Sequence, residues 1–252
     1  MTISAKIIAH SSHPGCPDLI TLQCRYPRFI HAEVMTHRVF SRNASSSRAV
    51  PVDRMIAEVL DDPAMPVAWG SNQPGMQAGD GVLRPDLAMD IWLEARDRAV
   101  EAARDAQRLG LHKQIVNRLI EPFAYISVVI TATEWENFFK LRCHPAADPT
   151  MRALAEAMRD AVAASFAAPV GLNEWHKPYG GIDPMVSAGR CARVSYLNHD
   201  GSDPDDDKDE ELAKMLMKSG HWSPFEHPAT PTPGWNHANL SGWCSLRTQL
   251  GA

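Results

Sequence analysis

The stretch that most restricts the fold is Ala124–Thr131, AYISVVIT, an uncharged run rich in β-branched residues. Branched Cβ atoms pack well on a pleated surface, so the run reads as a buried strand; periodicity alone leaves a buried helix open. A buried central element needs others to cover it. Leu19–Cys24 and Arg28–Met35 read as strands broken at Tyr26-Pro27, because proline removes a ladder donor and biases its predecessor toward extended geometry. Pro85 opens a helix whose apolar positions Leu87, Ile91, Ala95 and Ala99 recur every four residues until Gly110, and a second helix covers about Leu111 to Glu121. Thr133 and Glu136 stand at capping-box spacing ahead of a helix carrying Trp135, Phe138, Phe139 and Arg142. Met151, Leu154, Ala155, Met158, Val162 and Phe166 follow the i, i+3, i+4, i+7 pattern of an amphipathic helix. Ala168–Pro184 has the Pro and Gly content of a connector. Beyond it the sequence predicts a short strand at Ala192–Tyr196, a helix at about Glu210–Lys218 and an extended break at Pro228–Gly234.

The 252 residues are 44% apolar and 22% charged with a net charge of −5, which excludes a disordered chain and fits one large globular domain or two small ones. No apolar run approaches the ~20 residues of a membrane span, so no membrane partner is expected. Met1–His10 lacks the succession of a signal peptide, and a cytoplasmic location is expected. The mild acidity argues against nucleic acid as a partner. Five cysteines without a CxxC encode no disulfide framework and no zinc site; reduced thiols and no bound metal are expected. Charge is unevenly spread. Six arginines stand between Arg25 and Arg54, with Glu33 and Asp53 the only acids among them, whereas seven of the nine residues Asp203–Glu211 are acidic. The acidic run reads as a solvated loop entering a helix whose dipole its carboxylates complement.

Three segments carry chemistry. In Thr36–Arg48, THRVFSRNASSSR, hydroxyls, an amide and guanidiniums are dense enough to wrap a pyrophosphate, since arginine binds phosphate bidentately; a solvated loop and a nucleic-acid contact fit the same composition. In Gly220–His227, GHWSPFEH, a helix-ending glycine precedes two histidines flanking a carboxylate, without metal-ligand spacing. A packed and a catalytic role stand open for both. In Asn117–Arg142, Arg118 and Arg142 sit on apolar elements, where an arginine pairs with an internal carboxylate such as Glu121 or meets an anionic ligand.

Together these segments resemble the flavin-dependent thymidylate synthases, the ThyX family. The signature R-H-R-x-x-S-x-N-E-x-S-x-R-Y is matched at His37, Arg38, Ser41, Asn43, Ser46 and Arg48; GHWSPFEH, preceded by SAGRCARVSY, is similar to the family's early segments, and NRLIEPF and ENFFKLR to its arginine-bearing helices. Here the early segments follow the signature, so the motif order is circularly permuted, with Ala168–Pro184 joining the two pieces within one domain over residues 1–252. The resemblance implies an α+β fold with a mainly antiparallel sheet and packed helices. It implies reductive methylation of dUMP at C5 with methylenetetrahydrofolate, FAD and NADPH, in a homotetramer. Carried over residue by residue, His37, Arg38, Asn43, His221 and Ser223 would contact FAD. Ser46, Arg48, Arg118 and Arg142 would hold the nucleotide, and Arg142 and His221 would take part in catalysis. No cysteine nucleophile is used, although Cys24 and Cys143 are the residues a cysteine-based synthase would recruit.

The signature's first Arg is Thr36, its Glu is Ala44, its last Tyr is Ala49, and an upstream Gln is Glu33. Arg28, Arg42 and Arg247 are candidates to restore the lost positive charge. The departures also fit a related enzyme that methylates or hydroxymethylates dCMP or dUMP, and a non-catalytic nucleotide- or nucleic-acid-binding protein on the same scaffold. The tail Asn239–Ala252, with Trp243 and Arg247, has no assigned place.

Overall fold

A computed structural model describes residues 3–194 and 201–252. Its main sheet has the order β3-β4-β2-β1-β5, from β1 (Ser4–Ser12), β2 (Leu19–Pro27), β3 (Ser41–Ala44), β4 (Tyr125–Ala132) and the two-residue β5 (Ala168–Pro169). All pairings are antiparallel except β1 with β5. AYISVVIT is therefore a strand, and it lies between β2 and β3.

Side chains alternate across a strand, and here the alternation separates two environments. From β2 and β4, Ile20, Leu22, Cys24, Tyr26, Ile126, Val128, Ile130 and Ala132 face α5 (Glu136–Arg142) and α6 (Pro149–Ala163), meeting Phe138, Met151, Leu154, Ala155 and Met158. The opposite face carries Thr21, Gln23, Arg25, Ser127 and Thr131, and it is covered by the later part of the chain. A second core joins α2 (Val52–Asp61), α3 (Pro85–Arg108) and α4 (Lys113–Ile120) through Met55, Ile56, Val100, Ala103, Val116 and Ile120.

The covering pieces are α7 (Pro184–Arg193), α8 (Asp206–Lys218), a hairpin of β6 (Ala229–His237) and β7 (Leu240–Ser245), and the short α9 (Leu246–Gln249). Gly189 lets α7 approach α8, since a Cβ there would stand 2.1 Å from the Asp209 carbonyl oxygen. Asp209 accepts from Arg190 and Arg193 while nearly fully buried. The acidic run thus starts a helix as expected, with one member drawn inside. A chain of buried hydrogen bonds fastens the later segments to the sheet: Ser11 Oγ to His176 Nδ1 (2.8 Å), His176 Nε2 to Thr21 Oγ1 (2.8 Å), Thr21 to Thr131 (2.6 Å), and Thr131 Oγ1 to His227 Nδ1 (2.8 Å). The tail finds its place here: Trp243 is buried, its Nε1 donates to the Pro17 carbonyl, and Leu246 packs with Phe225.

Several expectations are corrected. Arg28–Met35 is a 3-10 turn (Arg28–Ile30) followed by α1 (His31–Val34), not a strand. Pro27 ends the ladder, and Ile30 and Val34 are buried at helical i, i+4 spacing rather than alternating. In α3 the ridge Leu87–Ile91 is exposed while Val100 and Ala103 are buried with Trp92 and Ala99 packed beside them, because a strict four-residue spacing drifts about 40° per step around a 3.6-residue helix. Thr133 forms no capping box; its Oγ1 accepts from Ser241 N, and α5 starts without a side-chain cap. Phe166 lies beyond α6 and is exposed. The strand expected at Ala192–Tyr196 is overturned at Ala192 and Arg193, which end α7, a helix started by Asp183 and Pro184; Ser195 and Tyr196 lie outside the described residues. The break at Pro228–Gly234 is largely strand β6. Among the described residues no helix is long and apolar enough to cross a membrane.

Candidate functional site

A cavity of about 930 Å³ opens over the polar face of the sheet. Gln23, Arg25, Tyr125 and Ser127 form part of its lining from β2 and β4, and Asn43 to Ser47 follow along the edge. Helix α2 adds Arg54 and Glu58, the end of α7 adds Arg193, α8 adds Leu212 and Leu216, and the turn after Gly220 adds His221, Ser223 and Pro224. Four arginines (Arg25, Arg28, Arg54, Arg193) and two carboxylates (Glu58, Asp62) line it.

Its walls are held by side-chain bonds between distant segments. Asn43 Nδ2 donates to the Cys191 carbonyl (2.9 Å), and its Oδ1 accepts from Ser223 Oγ (2.9 Å), so one amide joins β3, the end of α7 and the Ser223–Glu226 turn. Ser47 Oγ donates to Glu121 (2.5 Å), which also pairs with Arg28 (3.3 Å). Asn117 Nδ2 donates to the Ser47 and Val50 carbonyls. Arg25 pairs with Asp62 (3.0 Å) and lies 3.8 Å over the Tyr125 ring, a cation–π geometry.

A second cluster surrounds Arg142. Its Nε donates to His37 Nε2 (2.9 Å), its Nη2 to Thr36 Oγ1 (3.3 Å), and Nη1 stands 3.7 Å from Glu33. An imidazole that accepts on Nε2 is neutral, with its proton on Nδ1. Desolvation, followed by the Arg142 and Arg42 charges, holds the His37 pKa below its ordinary value, in keeping with that state. Burial and Asp148 push the Glu33 carboxyl up, against the pull of Arg142. Arg42 Nη1 reaches the Val34, Met35 and His37 carbonyls and so fixes the loop that carries His37. A cleft of about 600 Å³, lined by Lys140, Arg142 and His144, borders this cluster.

Of the residues singled out in the sequence, Asn43, Ser46, His221 and Ser223 come together in the large cavity. His37 and Arg142 meet at the second cluster, and Arg38, Arg48 and Arg118 are exposed and line neither hollow. The expected Arg118–Glu121 pair is replaced by Arg28–Glu121, because Glu121 opens a 3-10 turn through Pro122 that carries its carboxylate to Arg28 and Ser47. Of the three candidate replacement cations, Arg28 lines the cavity, while Arg42 serves carbonyls and Arg247 pairs with Glu226 (2.6 Å). Arg25 and Arg54 went unassigned, although the arginine-rich stretch pointed to them; nothing in the sequence marked Gln23. Burial pushes the Cys24 thiol far up and the Cys143 thiol up, opposite to what a nucleophilic thiolate needs.

Known proteins share part of this sequence and its fold. The model of the family described as "thymidylate synthase complementing protein" matches residues 18–168. Among solved structures, a UMP/dUMP methylase PolB from Streptomyces cacaoi bound with 5-Br UMP is 18% identical with a TM-score of 0.53, covering 64% of this chain and 89% of that one. The same methylase bound with 5-Br dUMP is 16% identical with a TM-score of 0.53, covering 64% and 90%. At such identities the likeness shows a shared fold. No curated protein matches the sequence. With the family model spanning more than half its length, the chain belongs to the thymidylate synthase complementing protein family.

Proposed function

We propose that this protein is a flavin-dependent thymidylate synthase, which methylates dUMP at C5 with methylenetetrahydrofolate, FAD and NADPH. The observation that carries the reading is the cavity that joins Asn43 and Ser46 of the signature segment to His221 and Ser223, 175 or more residues later. The family membership supports it, as do the uridine nucleotides bound by the PolB structures.

The residues present fit a flavin nucleotide. Val194, Leu212, Leu216 and Pro224 offer apolar contact to a planar ring, the sheet floor offers polar edges, and the arginines suit phosphate. Asn43, His221 and Ser223 would hold the flavin from the cavity wall, with His37 and Arg38 reached from the neighbouring loop. When bound, the flavin supplies the hydride that turns the transferred methylene into a methyl group. Ser46 would hold the nucleotide with Arg48 and Arg118, and Arg142 would stabilise charge developing on the pyrimidine. Arg38, Arg48 and Arg118 face solvent in the single chain, which fits a site completed by neighbouring copies in a homotetramer. In this reading the whole chain is one domain of rotated order, and Ala168–Pro184 is the joint, tied to the sheet by His176.

A second reading, methylation or hydroxymethylation of dCMP or dUMP, is favoured by Thr36 and Ala44, and by Glu33 standing against Arg142. The two kinds of product differ in electrons: methylation of either base consumes a reductant, whereas hydroxymethylation takes up water and consumes none. The test is incubation of the purified protein with FAD, NADPH, methylenetetrahydrofolate and equimolar dUMP and dCMP, followed by the mass of the recovered nucleotides. A methyl group on dUMP with NADPH oxidised is expected. A hydroxymethyl group or a modified dCMP would establish the second reading; two unchanged nucleotides with FAD still bound would overturn both in favour of a flavoprotein of another kind.

A further inference from the structure

Gln23 lies in the middle of β2, paired with Val129 of β4 and Lys6 of β1, and its side chain reaches the cavity floor beside Arg25. Neither the signature nor the arginine-bearing segments include it. Its amide is oriented from below by Tyr179, whose hydroxyl donates to Gln23 Oε1 at 3.0 Å. That ring is buried against Val129, Cys191, Val194 and Ile8, none of which offers a side-chain oxygen, so the phenolic proton goes to the amide oxygen. Burial, with Cys191 and Cys24 nearby, keeps the phenol protonated by pushing its pKa up. With Oε1 committed to Tyr179, Nε2 is left with its two protons, and among the described residues nothing accepts from it.

The backbone is bent to achieve this. Tyr179 has φ of 62°, a left-handed conformation that an aromatic residue adopts only under constraint, and Gly180 and Gly181 continue with positive φ. The bend is secured by Arg190, whose Nη1 donates to the Tyr179 carbonyl (2.8 Å), by Ser187 Oγ on the Pro178 carbonyl (2.7 Å), and by Lys177 Nζ on the Gly181 carbonyl (2.8 Å). Tyr179 lies outside the segment matched by the family model.

We propose that Gln23, oriented by Tyr179, donates a hydrogen bond from Nε2 to a ring carbonyl of the ligand in the cavity, selecting a ring edge that bears oxygen over one that bears an amine. The inference rests on the nucleotide and flavin reading above. Two rings carry the required edge, the uracil of the nucleotide and the pyrimidine end of the flavin, and both offer carbonyl acceptors where cytosine offers an exocyclic amine. In this arrangement Gln23 reads specificity and Tyr179 is a positioning residue.

The test measures the affinities of FAD, dUMP and dCMP for the native chain, Gln23→Glu and Tyr179→Phe, with thermal unfolding to confirm that each variant folds. A carboxylate cannot donate and repels a carbonyl, so Gln23→Glu is expected to weaken its ligand roughly tenfold; Tyr179→Phe frees the amide to turn over and is expected to cost a fewfold loss. Weakened dUMP with a ratio shifted toward dCMP assigns the carbonyl to the nucleotide, and weakened FAD alone assigns it to the flavin; either supports the inference. Affinities and ratios that match the native chain in both folded variants overturn it while leaving the functional reading intact. A native chain that binds neither FAD nor a pyrimidine nucleotide overturns both.

Discussion

The His37–Arg142 contact sets a protonation state as well as a position. The arginine cannot accept, so the imidazole must, and the positive charge beside it opposes a second proton. Replacing Arg142 by Met removes that charge while preserving most of the stem. The His37 pKa should then move up toward its ordinary value, as read by NMR titration of the imidazole C–H signals; a fall would show that Arg142 is not the neighbour that matters. The sequence placed both residues in the candidate site through two separate motifs, but their pairing was not legible in it, because 105 residues separate them and only packing of α5 against the His37 loop brings them together.

At the scale of elements, two junctions shape the cavity. Helices α7 and α8 cross where Gly189 meets the Asp209 backbone, and a carbonyl cannot move aside as a flexible side chain would. Gly189→Ala should therefore cost about 3 kcal/mol by overpacking, seen as a lowered midpoint in urea unfolding. The second junction is α9 against the turn that carries Ser223, where Arg247 holds Glu226 and Leu246 packs on Phe225. This ion pair is partly exposed, so Arg247→Ala should shift global stability by less than about 1 kcal/mol. It should nevertheless raise hydrogen exchange in residues 221–227 relative to β2 and β4; unchanged exchange there would show that the tail does not hold the turn. Element type was legible where local signals agreed, as at Pro85, which opens α3, and Gly110, just past its end. Arg28–Met35 misled because a short apolar segment after a proline suits either a strand or a turn of helix, and the covering core decides.

For the whole molecule, the line Ser11–His176–Thr21–Thr131–His227 ties the connector and the later segments to three strands. Burial pushes both histidines down to about 3, with neighbouring histidine charge adding at His176. Their folded values lie below the unfolded value of about 6.5, so the stabilisation is present in full above that pH and is lost as pH falls toward 3. Between pH 6.5 and 5 the loss is of order 2 kcal/mol per histidine, at about 1.36 kcal/mol per pH unit. The urea midpoint should drop across that range, and His176→Gln should flatten the drop; an unchanged slope would mean that His176 does not contribute.

The sequence by itself determined the long helices and the signature segment of the family, and it pointed to the central strand. These signals are local: β-branching, capping residues, breakers and short fixed spacings act over a few residues and survive a change in chain order. The tertiary structure alone decided which polar face of the sheet becomes a cavity floor, that Glu121 turns to Arg28, that the tail buries Trp243, and that Tyr179 orients Gln23. Each of those depends on contacts between residues far apart in the chain, whose geometry is set by burial and hydrogen-bond satisfaction across the whole fold rather than by any property of the segments that meet.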